Sequence, residues 1–238
     1  MPDIIQLLID LIDERCSKIK ADVPAFRLSD TSKSLYSGER IKTGIPKIDN
    51  LLHGGFPCKK VIEVFGPEQS GKTTLILTAI AGALRQNKEA CAILVDAEHA
   101  LDLEYAKRIG IDPDRVIIQQ PDYGEQALEL VKQACLAKIE NKQLENQQLI
   151  IAVDSVAALV PQSEYEADLI GESGGMARQA AMMSSAMRQL VGPISKAGVC
   201  AIFVNQVRDK LGPFGGGHET PGGKALKFYS TLRLKVSK

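Results

Sequence analysis

Residues 66–74 read Gly-Pro-Glu-Gln-Ser-Gly-Lys-Thr-Thr and satisfy the pattern G-x-x-x-x-G-K-[ST] at every required position. The pattern constrains the fold before it constrains the chemistry, because it works only where a strand leads in and a helix leads out. Both flanks comply. Residues 61–65, rich in β-branched side chains, read as a buried strand, and residues 75–85 carry apolar side chains at helical spacing. Gly66 and Gly71 let backbone N–H groups converge on phosphate oxygens, and a helix starting near Lys72 adds its positive end. In that setting Lys72 reaches the β- and γ-phosphates of a nucleotide, the Thr73 hydroxyl is a Mg²⁺ ligand, and Glu68, Gln69, Ser70 and Thr74 complete the cradle.

The alternation continues. Residues 92–95, 116–118, 149–153 and 199–204 are continuous apolar runs, separated by helical stretches such as 124–138 and 176–190. Runs of this kind belong to strands covered on both faces, so the chain reads as α/β with a mostly parallel central sheet flanked by helices. Ligands of such sheets bind outside the carboxyl ends of the strands. Asp96 and Glu98 follow the second strand, Asp154 and Ser155 follow 149–153, and Asn205 and Gln206 follow 199–204. Asp154 has in front of it the apolar run that a Mg²⁺-holding aspartate needs, although a lone aspartate after a strand serves equally as a helix cap. Many phosphate-loop ATPases place a glutamate directly after that aspartate to activate water. Here Ser155 stands there, which makes Glu98 the candidate base, with a plain surface acid as its alternative. Gln206 is uncharged and suits sensing of a γ-phosphate.

With 45% hydrophobic and 24% charged residues among 238, the composition fits one globular α/β domain of roughly 200 residues. No apolar run approaches the roughly 18–20 residues of a membrane span, and no basic region precedes the first apolar residues, so neither a span nor a signal peptide is expected. Cys16, Cys58, Cys91, Cys135 and Cys200 are odd in number and widely spaced, which speaks against a disulfide or metal framework and for a reducing cytoplasm. Lys plus Arg and Asp plus Glu each total 29, so only local patches could attract nucleic acid. Near the N-terminus, Ile4, Leu7, Leu8, Leu11 and Ile12 form a helical stripe. The expected organisation is an amphipathic helix over 1–20, a Ser-, Pro- and Gly-bearing linker over 21–42, and a core over 43–238. The stripe must be covered either by its own domain or by a neighbouring subunit.

Five stretches, taken together, resemble the bacterial RecA-type recombinases: the phosphate loop running on to Leu75, Asp96-Ala97-Glu98-His99-Ala100-Leu101-Asp102, Val153-Asp154-Ser155-Val156-Ala157-Ala158-Leu159, Asn205-Gln206-Val207-Arg208, and Gly222-Gly223-Lys224-Ala225-Leu226-Lys227-Phe228-Tyr229. They stand in the family's order and cover about residues 43–236. The resemblance implies a RecA-like phosphate-loop NTPase core with a tethered N-terminal helix. It implies an ATPase using ATP and Mg²⁺, which forms a filament on single-stranded DNA and drives homologous pairing in recombination, repair and the SOS response. It further implies ATP at the subunit interface, Tyr105 stacked on the adenine, Asp102 near the base, Glu98 as the water-activating carboxylate, and Gln206 as the link from the γ-phosphate to a DNA loop.

Two loops would carry DNA. Residues 207–223 offer Arg208, Lys210, a glycine run and the Gly222-Gly223 pair, suited to phosphate contacts. Residues 162–179 carry Glu164, Glu166, Asp168 and Glu172 against a single Arg178, with Arg188 farther along the next helix. Where the family has an arginine before its Met-Met pair, Ala181 precedes Met182 and Met183, and Arg178 one helical turn back is the substitute. The competing reading of both loops is a lid over the nucleotide. Beyond the strand at 231–236 the family continues with further strands, lysines that reach the neighbouring subunit's ATP, and a small C-terminal domain. With the sequence ending at Lys238, weak DNA-stimulated hydrolysis is expected of the chain alone, restored by a full-length recombinase partner or a longer chain. The function so read is an ATP-dependent, single-stranded-DNA-binding recombinase acting as a homo-oligomer away from membranes. The alternative is a shortened paralogue acting as an accessory or regulatory ATPase.

Overall fold

A computed structural model describes residues 4–18, 39–167, 175–209 and 218–237. Contacts divide the chain into two units, Met1–Gly38 and Glu39–Lys238. The first contributes α1 (Ile4–Lys18), whose Leu8, Leu11 and Ile12 are exposed. One turn apart on the same helix, the Gln6 amide donates to Asp10 at 2.9 Å and the Lys18 amine to Glu14 at 2.6 Å, local pairs worth a few tenths of a kcal/mol each.

In chain order the second unit contains β1 (Arg40–Ile41), α2 (Pro46–Leu51), β2 (Phe56–Pro57), β3 (Lys60–Gly66), α3 (Lys72–Gln86), β4 (Cys91–Asp96), α4 (Leu103–Ile109), β5 (Val116–Gln119) and α5 (Gly124–Glu140). There follow β6 (Leu149–Asp154), α6 (Gln162–Tyr165), α7 (Gly175–Ala197), β7 (Cys200–Gln206), β8 (Arg208–Asp209), β9 (His218–Glu219), α8 (Ala225–Tyr229) and β10 (Leu232–Lys235). Arg40 and Ile41 lie in the stretch whose composition reads as linker, yet they pair antiparallel with Pro57 and Phe56, because Ile41 is buried in the core.

The central sheet has six strands in the order β10-β3-β7-β6-β4-β5, and every pairing in it is parallel. It is mostly apolar on both faces, as its uninterrupted runs require. Ile62, Val64, Leu94, Ile150 and Ile202 pack on one side with Ile76, Leu77, Ile80 and Leu84 of α3. Ile93, Val95, Ile151, Val153 and Phe203 pack on the other with α5 and α7, through Leu128, Val131, Met183, Met187 and Leu190. At roughly 1.5–3 kcal/mol per buried large aliphatic side chain, this packing outweighs the modest helix propensity of Thr73, Thr74 and Thr78 in α3.

Helix α7 runs past the residue at which the sequence suggests a stop. The helical stretch read from sequence covers 176–190, but the helix continues to Ala197 with Pro193 inside it. Ile194 and Ala197, both buried beyond the proline, supply the apolar contacts that offset the lost backbone bond, which costs about 3 kcal/mol.

Candidate functional site

Parallel pairing brings the carboxyl ends of four strands side by side: Gly66 of β3 is in register with Gln206 of β7, and Asp96 of β4 with Asp154 of β6. From β3 the chain turns through residues 67–71 into α3. Gln69 and Gly71 take left-handed backbone angles, φ 54° and 93°, and this pattern turns successive N–H groups inward. The two loop glycines have different reasons. Gly71 needs its positive φ, and a side chain there would meet nothing, whereas a Cβ on Gly66 would lie 2.0 Å from the Val236 carbonyl oxygen. Gly66 therefore admits the exit of β10 as much as it shapes the loop.

Within the loop, the Lys72 amine donates to the Pro67 carbonyl at 2.6 Å. Burial pulls this amine below its usual value, against the carboxylates of Asp154, Glu98 and Glu68. The Thr73 hydroxyl donates to Asp154 Oδ2 at 2.7 Å, so the two expected ion ligands already face each other. Burial pushes the Asp154 carboxyl up to about 6, with the Thr73 hydrogen bond opposing and Glu98 and Asp96 adding to the rise. Glu98 Oε1 accepts from Gln206 Nε2 at 2.9 Å and from the Ser155 hydroxyl. Thr73, Asp96, Glu98 and Asp154, with Leu94, Ala100 and Leu101, line a single cavity of about 40 Å³.

The remaining expected residues fall in different places. Thr74 Oγ1 and Tyr105 OH are 2.9 Å apart on the surface formed by α3 and α4, and Tyr105 is 39% exposed. Asp102 caps α4 by accepting from Tyr105 N at 2.9 Å, and is exposed. Glu68 and Gln69 are exposed at the loop's crest, and Ser70 Oγ is buried with no hydrogen-bond partner among the described residues. Gly222 and Gly223 have positive φ and press on α7, where a Cβ on Gly223 would come 2.8 Å from Ala180 Cβ and one on Gly222 3.1 Å from Met183 Cγ. These two glycines thus meet a packing requirement whatever else they touch. On α7, Arg188 is exposed, while Arg178 keeps its Nε buried and without a hydrogen-bond partner among the described residues. Arg208 lies in β8, which pairs antiparallel with β9. Lys210 is outside the described residues.

The polar strand ends do not all serve the site. Asp96 is spent structurally, accepting from Ala100 N, Leu101 N and Gln120 Nε2 at 3.2, 3.2 and 3.0 Å. The thiols of Cys58 and Cys135 are pushed up to about 12 by burial and remain protonated spectators at neutral pH. Among the described residues no cluster of three or more His, Cys, Asp or Glu could hold a metal by itself. Thr73 and Asp154 suit an ion that completes its shell with phosphate and water, as Mg²⁺ does. The unpartnered Ser70 hydroxyl and the inward-turned loop are likewise built for a polyanion that brings its own acceptors.

A strand, a glycine-bearing loop at a helix N-terminus and polar residues on the neighbouring strand ends define a phosphate-loop α/β protein. Comparison narrows the class. The family model of the RecA N-terminal domain matches residues 15–238, and the chain belongs to that family. It is 50% identical over 200 residues to protein RecA of Mesoplasma florum, covering 83% of this chain and 56% of that protein. With protein RecA of Acholeplasma laidlawii it shares 47% over 203 residues, 84% of this chain and 58% of that one. With protein RecA of Clostridium novyi the figures are 48% over 202 residues, 84% and 54%. The chain thus spans little more than half the length of the curated relatives it matches.

Proposed function

We propose that this chain binds ATP with Mg²⁺, hydrolyses it, self-associates, and acts on single-stranded DNA in homologous recombination and repair. The observation that carries the enzymatic part is the meeting of Thr73 with Asp154 and of Glu98 with Gln206, on strand ends beside one phosphate loop. ATP supplies the phosphoanhydride to be broken, and Mg²⁺ supplies charge neutralisation at its terminal phosphates. Lys72 would exchange the Pro67 carbonyl for phosphate oxygens, and Thr73 and Asp154 would hold the ion. Glu98 would orient water and receive its proton, while Gln206, bonded to Glu98 and leading directly into β8, would report the state of the site to the β8–β9 pair. Tyr105 and Asp102, at the rim of α4, would border the base.

The DNA part is supported by family membership and by Arg208 on the β8–β9 pair, and by Lys210 and the glycine-rich sequence that follows it. Residues Arg178 and Arg188 on α7, with Gly222 and Gly223 after β9, would complete that surface. Among the described residues no helix is long and apolar enough to cross a membrane. The deciding experiment is ATP turnover with and without single-stranded DNA, together with the salt dependence of DNA binding. Arg208→Ala and Lys210→Ala should each weaken binding and lower the slope of log affinity against log salt by somewhat under one unit, about 0.7 per lost phosphate contact, with basal turnover retained. Unchanged slopes in both variants would make this segment a lid over the nucleotide instead.

A further inference from the structure

We infer that Ser155 is a positioning residue for the hydrolytic step, bracing Glu98 across the two strands that carry them. The inference rests on the proposed ATPase reading and assigns a role to a side chain that reading leaves unused. Ser155 immediately follows β6 and is 0% exposed. Its hydroxyl carries one proton, and that proton is committed to Glu98 Oε1.

Glu98 is held at both ends by the same short stretch. Ala97 N and Glu98 N donate to the Asp154 carbonyl at 2.8 and 3.3 Å, tying the backbone after β4 to the end of β6. The side chain then returns to the next residue, Ser155, and shares Oε1 between that hydroxyl and Gln206 Nε2. Beyond Glu98 the chain turns away through His99 at φ 53°. Oε1 is held by two donors and, among the described residues, Oε2 accepts from none, so the carboxylate is fixed in a defined direction with Oε2 turned to the reaction. That is what a base needs. A carboxylate held by Gln206 alone could swing about one hydrogen bond, and misplacement of a reacting group by about 1 Å costs on the order of 10² in rate. The arrangement also accounts for the residue type after Asp154. A second carboxylate there would face Glu98, whereas a hydroxyl donates to it.

Ser155→Ala removes one oxygen and leaves Glu98 bonded to Gln206, so the fold should survive. The test is single-turnover hydrolysis of radiolabelled ATP by the 238-residue chain with single-stranded DNA, beside nucleotide binding measured by fluorescence. Ser155→Ala should lower the hydrolysis rate about 10- to 100-fold, with nucleotide affinity changed less than about twofold. In a Glu98→Gln background, the same substitution should change the residual rate less than about twofold, because a brace matters only while there is a base to hold. Equal losses in both backgrounds would overturn the inference and give Ser155 an independent or merely structural role. An unchanged rate in Ser155→Ala would also overturn it. Absence of turnover in the wild-type chain would sink the ATPase reading and this inference with it, whereas turnover insensitive to Ser155 would sink this inference alone. Should Ser155→Ala not fold, Ser155→Cys fills the same space with a weak donor, and its rate must fall as well.

Discussion

Burial acts on Lys72 and Asp154 in opposite senses, pulling the amine below its usual value and pushing the carboxyl up to about 6. Holding a divalent ion requires the ionised carboxylate, so below about pH 6 binding must expel a proton, and affinity for Mg²⁺-nucleotide falls by up to about tenfold per pH unit. The nucleotide titrates as well, and the informative quantity is the difference from Asp154→Asn. Between pH 7 and 5 the wild-type slope should be the steeper of the two, and parallel slopes would remove Asp154 from the ion site. For the nucleotide-free fold the sign is different. The folded value lies above the ordinary carboxyl value of about 3.9, so Asp154 contributes stability that is full below about pH 4 and is lost as pH rises through about 6. Lys72→Ala should abolish nucleotide binding, whereas Glu98→Gln should bind normally and lose at least about a hundredfold in kcat, measured by fluorescence titration and steady-state turnover. Wild-type turnover in Glu98→Gln would move the base elsewhere. The position of Lys72 and Thr73 at the head of a helix after the glycine loop was legible in the sequence, because one short stretch of chain carries the whole pattern. The Thr74–Tyr105 contact and the Ser155 brace were not, because each depends on how two elements sit side by side in space.

Strand β3 shows what an element conceals when read alone. The run at 61–65 is apolar except for Glu63, which is fully buried, accepts from Asn205 Nδ2 of β7 at 3.1 Å, and is paired with Arg233 of β10. The Arg233 guanidinium in turn lies 4.5 Å over the Phe65 ring. A carboxylate inside a buried strand signals a partner, but the sequence does not say that the partner lies far along the chain on the strand next door. Glu63→Ala would strip Arg233 and Asn205 of their acceptor and should cost about 3–5 kcal/mol, lowering the melting temperature by on the order of 10 °C. Replacing Glu63 and Arg233 together by methionine should recover most of that loss, since an apolar pair of similar volume is often no worse than a buried ion pair. A melting temperature for Glu63→Ala within about 2 °C of wild type would make the pair dispensable. The same lesson holds for Arg115, whose guanidinium donates to the carbonyls of Leu84 at 2.8 Å, Asn87 at 2.6 Å and Ala90 at 2.6 Å, and so ties the end of α3 to the turn before β4. No spacing rule marks it.

For the whole molecule, the alternation of apolar runs and helical stretches made the layered parallel sheet legible, because a strand covered on both faces needs no polar residue of its own. The order β10-β3-β7-β6-β4-β5 was not legible, since apolar runs of similar character pair equally well in many orders. Glu98, Asp154 and Gln206 could be placed at strand ends from sequence, but their convergence depends on β7, β6 and β4 being consecutive. The N-terminal helix poses the remaining question at this scale. At 15 residues α1 is near the lower limit at which an isolated helix persists in water, and Leu8, Leu11 and Ile12 are 54, 44 and 47% exposed. A stripe of this kind gains stability only by being covered, and under the proposed self-association the covering surface would belong to another copy. Deletion of residues 1–20 should therefore lower the mass seen by sedimentation, while the melting temperature of the remaining unit shifts by less than about 2 °C. A large fall in melting temperature with unchanged mass would show the helix packing on its own core, and would leave self-association to other surfaces.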